Sequence, residues 1–150
     1  APALPHRGLS PKGDTSLAGL VRIPKLGQVL ADQAGELDEI VHLVQEQGIA
    51  ITERSKGAIQ HSLVPCSLNL ETLVRTFPVI PDEANERMRR QDDLLRDIVT
   101  LQYNDYLNRF AAGKTPSGSE FSRALFQIEG MAGTIREIRK TARLLGTRAK

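Results

Sequence analysis

Tryptophan is absent from this chain of 150 residues, and the other aromatics amount to two tyrosines and four phenylalanines. Aliphatic side chains must therefore build the core, which favours helix packed on helix. Cys66 is the only cysteine, so an internal disulfide and every multi-cysteine metal or redox motif are excluded, and a lone cysteine is usually a small buried hydrophobe. Charge interrupts every apolar run well before the roughly 20 residues needed to span a bilayer. The chain also lacks a basic stretch followed by an apolar run at its start, so we expect no signal peptide in it, and the small Ala1 fits loss of an initiator methionine. A reducing compartment, the cytoplasm by default or a virion, is the expected location. The formal net charge of +2 is too small by itself to argue for nucleic acid.

What is present is helical periodicity. Residues 1 to 14 hold three prolines and two glycines and are expected to lack regular structure. A short helix is expected from Thr15 to Arg22, before Pro24 interrupts it, so residues 1–25 read as an N-terminal arm and 26–150 as the helical bundle. Leu30, Ala34, Leu37, Val41, Val44, Gly48, Ile51, Ser55, Ala58 and Ser62 then follow a 4-3 spacing, which predicts one long helix over about residues 27 to 63, stopped by Pro65. The alternative breaks that helix at Gly48 and makes "IAIT" a short strand. The small residues Gly48, Ser55, Ala58 and Ser62 mark a face for close helix packing. Residues 67 to 77 read as a short helix or connector.

Pro81 followed by Asp82 and Glu83 opens a second long helix, expected to run to about Ala112 with Gly113 as its stop. The last helix is expected over about 118 to 145. Ser117 and Glu120 have capping-box spacing, and Phe121, Leu125, Ile128, Ala132, Ile135 and Ala142 form a 4-3 stripe. Gly130 and Gly133 interrupt it, each costing about 1 kcal/mol of helix propensity, which points to a close neighbour. The fold expected is all-α: an elongated bundle of three long helices plus short helices, with coiled-coil character and an extended N-terminal arm.

Motifs for chemistry are scarce. "GKTP" at 113–116 shares Gly-Lys-Thr with phosphate-binding loops, but Asn108 stands where the first glycine belongs and Pro116 follows the threonine. It reads as a helix stop and start. His6, His42 and His61 show no metal-ligand spacing, and Asp92 with Asp93 reads as a solvated face, since adjacent side chains on a helix diverge by about 100°. No catalytic residue, cofactor or metal is expected. The clearest charge pattern is Arg136, Arg139, Lys140 and Arg143 on one helical face, a candidate stripe for anions or an acidic partner helix. Complementing the helix dipole explains the same residues.

"RALFQIEGMAGTI", residues 123 to 135, resembles the helix of histidine phosphotransfer domains, four-helix bundles in which H-x-x-K-G carries the phosphorylated histidine. The matching positions are Phe126, Glu129 and Gly130, without the histidine and lysine, so the resemblance implies a non-phosphorylatable docking relative. The expected function is a non-enzymatic structural subunit of a larger multi-chain assembly, with copies of itself among its partners, such as a virion, filament or secretion apparatus. A regulatory docking module and a helical nucleic-acid-binding protein are the alternatives.

Overall fold

The computed structural model describes residues 11–48, 52–114 and 120–149. Within them the chain forms four helices, α1 Pro11–Glu46, α2 Glu53–Thr76, α3 Asp82–Ala111 and α4 Glu120–Ala149, and no strand. α3 begins as its sequence dictates, with Pro81 as the extended N-cap and Asp82 and Glu83 in the first turn. It ends where Gly113 adopts a φ of +69°. The Gly113 amide donates to the Phe110 carbonyl and the Lys114 amide to that of Arg109, a glycine-terminated helix end.

Three expectations need correction. The helix predicted over 27 to 63 is two helices: α1 stops at Glu46, and Gly48, with a φ of +61°, turns the chain left-handed where no continuous α-helix can pass. Thr52 then caps α2, its hydroxyl accepting from the Ser55 amide at 3.1 Å. The prolines expected to stop helices do not. Pro24 lies inside α1 and Pro65 inside α2. Pro24 is exposed, and contacts with α4 on both sides of it, Arg22 with Glu137 and Gln33 with Gly130, hold the helix. Residues 11 to 25 thus belong to a helix rather than to an arm, and the described residues form four long helices rather than three with short ones. Residues 1–10, the "IAI" of the expected strand and Ser117 of the capping box lie outside the described residues.

Cross-helix bonds define the topology. Arg22 meets Glu137 and Gln33 meets Thr134 and Gln127. Arg54 meets Asp105 while Asn69 meets Asp92, and Arg143 meets Asp82 while Tyr106 packs on Phe121. Neighbours in sequence therefore run antiparallel, and so do α1 and α4. α2, α3 and α4 pack on one another in every pairing, whereas α1 approaches α4 alone. The main core lies within the three-helix unit around Met88, Leu95, Ile128 and Ile135, with Leu26, Leu30 and Leu37 of α1 laid against its flank.

Candidate functional site

In α4 the 4-3 register through Ile128, Ala132, Ile135 and Ala142 passes over Arg139, which is only 4% exposed. In α3 the register Met88, Leu95, Val99 passes over Asp92, 7% exposed, and Asn69 occupies the same kind of position in α2. These polar residues at core positions meet where the three helices converge. Arg139 Nη2 donates to Asp92 Oδ2 at 3.3 Å and its Nη1 donates to Asn85 Oδ1, while Asn69 Nδ2 reaches Asp92 Oδ1 at 3.2 Å and the Met88 carbonyl at 3.0 Å. Arg139 Nε is buried without a partner.

Burial raises the Asp92 carboxyl above its ordinary value. The charges of Arg136 and Arg139, and hydrogen bonds from Arg139 and Asn69, pull it back in part. Burial likewise lowers the Arg139 guanidinium, opposed by Asp92. Cys66 is buried alongside, its thiol pushed up to about 11 by burial first and by the Asp92 charge second. A thiol so placed stays protonated and unreactive near neutral pH. The cluster therefore lacks an activated nucleophile. Its physical effect is on alignment, because a slip of α3 along α4 would leave two buried charges without partners.

The basic face is divided by this geometry. Arg139 is inside, and Arg143, half-buried, donates to the Ile80 carbonyl and to Asp82 Oδ1, both at 2.7 Å. Arg136 is half-buried and Lys140 is exposed. The structure thus brings two of these cations onto internal partners and leaves Lys140 at the surface. Of the small residues, Ser55, Ala58 and Ser62 are buried at 2%, 3% and 0% exposure, whereas Gly48 is exposed in the turn. Ser62 Oγ donates to the Ala58 carbonyl at 2.8 Å. With so little side chain in the way, α2 lies close to both α3 and α4. Arg109 closes that end by bonding Asp105 at 3.0 Å and reaching Thr52 and Ser55 at 3.4 and 3.5 Å.

Because α2 sits against α3 and α4, a gap opens toward α1. It is an open cleft of about 520 Å³, lined on its apolar side by Ile40, Val41, Val44, Ile59, Leu63 and Ala124.

The remaining motifs stay apart. The Gly113 and Lys114 amides are taken up by the end of α3 and are not turned toward a phosphate. His42 is exposed; its contact with the Asp38 carbonyl, then the Asp38 charge, raises its pKa. His61 is exposed and His6 lies outside the described residues. Phe126, at the phosphoacceptor position of the resemblance, is 51% exposed with its ring 5.2 Å from Tyr103. No group of three metal-ligating side chains occurs among the described residues, and no helix among them is long and apolar enough to cross a membrane. No known protein family, curated protein or solved structure matches the chain.

Proposed function

We propose that this chain is a non-enzymatic structural subunit that joins other protein chains, copies of itself among them, in a larger assembly such as a virion, a filament or a secretion apparatus. One observation carries the reading. Gly19 packs on Leu145, and Arg143 bonds the Ile80 carbonyl, so the start of α1, the α2–α3 turn and the end of α4 share one end of the bundle. That end exposes Leu17, Leu20, Val21, Phe77, Val79 and Leu144 at 41–65%. Large apolar side chains left exposed at one end of a bundle favour an interaction surface there.

The polar groups buried inside the bundle bond to one another rather than converging on a cavity, which favours a structural role over a catalytic one. The test is to place charge on the apolar end. Leu20→Glu with Val79→Glu, both at exposed positions, should leave the helical circular dichroism intact and lower the mass found by light scattering. An unchanged mass distribution for the variant would remove this end from the account. A docking module for a single foreign partner would instead give a monomer in both forms.

A further inference from the structure

α1 is joined to the rest of the bundle through one helix and one turn. Its backbone comes within 8 Å of α4 alone, whereas α2, α3 and α4 all pack on one another. The cross-helix hydrogen bonds that α1 makes among the described residues also end on α4: Arg22 on Glu137, and Gln33 with Gln127 and Thr134. α1 can therefore leave as a unit without dismantling the three-helix core. The turn that folds it back depends on Gly48, at a φ of +61° with nothing within 4 Å of where a Cβ would stand. The helical register, moreover, does not stop at this turn. The 4-3 spacing that passes through Leu37, Val41, Val44 and Gly48 continues in the sequence through Ile51, Ser55, Ala58 and Ser62 without a skip. A turn interrupts that stripe in the folded-back chain, and Val41, one of its members, is 41% exposed. Rotation of Gly48 out of the left-handed region would let α1 and α2 propagate as one amphipathic helix, and α1 would then be carried away from its own α4.

We propose that α1 is exchanged between two copies of the chain, with Gly48 as the hinge, so that α1 of each copy packs on α4 of the other. The exchange needs no new complementary surface, because the contacts described within one chain are remade between two: Gly19 against Thr141 and Leu145, Gln33 against Thr134. Such exchange is a low-cost route to self-association for a chain with a hinge of this kind. The inference rests on the reading that the chain associates with copies of itself, and it adds to the apolar end a second contact, that of α1 with α4.

A Cβ at Gly19 would lie 3.3 Å from Thr141 Cγ2, an atom one bond beyond the Thr141 Cβ, so the two positions are close enough for a disulfide to be introduced between them. The full chain carrying Gly19→Cys and Thr141→Cys is oxidised and run on a denaturing non-reducing gel. Exchange gives a covalent dimer from the double variant and monomer from each single variant. A disulfide closed within one chain, with the undenatured protein still multimeric by light scattering, overturns the exchange and leaves self-association standing. The same internal disulfide in a monomer overturns both. The second arm is Gly48→Ala, which penalises the left-handed turn and should tighten dimer dissociation by at least tenfold in sedimentation equilibrium. A dimer dissociation constant that is unchanged or raised by Gly48→Ala overturns the proposal, whether or not the disulfide forms.

Discussion

The Asp92–Arg139 pair makes a demanding test because its two halves should fail separately and succeed together. Both side chains are almost fully buried, at 6% and 5% exposure, with the charged atoms 3.3 Å apart. At an effective dielectric of about 20 that separation is worth about 5 kcal/mol of attraction. Removing each ion from water costs several kcal/mol, so the pair comes close to breaking even. Asp92→Leu alone leaves a buried guanidinium with its Nε already unpartnered. Arg139→Met alone leaves a buried carboxylate held only by Asn69 and, at a distance, by Arg136. Each should cost about 3–5 kcal/mol, a large share of the roughly 5–15 kcal/mol by which domains are stable. The double variant replaces both charges with apolar groups and should return close to the parent or exceed it. Urea denaturation followed by circular dichroism gives the four free energies of the cycle. Losses that simply add in the double variant would refute the claim that each charge matters chiefly as the other's partner.

Other outcomes follow from the same geometry. Ala58 is 3% exposed beside Tyr106, Phe121 and Leu125, so Ala58→Leu should cost about 1–3 kcal/mol in urea melts; a neutral result would show spare room that the packing does not have. Gly35 and Gly57 have no atom within 4 Å of an added Cβ and lie within helices, so Gly35→Ala and Gly57→Ala should each stabilise by up to about 1 kcal/mol. Gly48→Ala should instead destabilise the folded-back monomer by about 1–2 kcal/mol, at protein concentrations low enough to prevent association, because its φ is +61°. Equal effects at all three glycines would contradict the turn. For pH, burial raises the folded-state pKa of Asp92 above its unfolded value near 3.8. The folded chain thus takes up this proton at a higher pH than the unfolded one. The Asp92 contribution to stability therefore rises as pH falls through the folded pKa and levels off below the unfolded value. In paired urea melts from about pH 7 to about pH 4, the parent should gain stability relative to Asp92→Asn; a relative loss would reverse the sign argued for burial.

Much of the fold was legible in the sequence. Pro81, Asp82 and Glu83 with Gly113 bracket α3 nearly to the residue, since caps are local chemistry. The 4-3 stripe of Phe121, Leu125, Ile128, Ala132, Ile135 and Ala142 is buried in α4 as periodicity implies. Two kinds of information were hidden. Pro24 and Pro65 look like stops, but packing decides whether a helix survives the hydrogen bond a proline removes, and packing is not local. Gly48 fits a helical stripe and a left-handed turn equally well, and only tertiary contacts choose between them.

The buried pair was hidden differently. Asp92 read as surface because Asp93 stands beside it, yet Asp93 is the exposed one of the two and Asp92 lies in line with Met88, Leu95 and Val99. Arg139 was grouped with a basic face although it occupies the 4-3 position between Ile135 and Ala142. Polar residues that interrupt an otherwise apolar register, on three helices at once, are the signal that could have located the cluster.

The central claim is that the chain is built to associate, and the mass of the unmodified protein in solution tests it most directly. Sedimentation equilibrium over a wide range of concentrations should give a weight-average mass that rises with concentration to at least twice the 16.5 kDa of one chain. A constant mass of 16.5 kDa throughout that range would contradict the account.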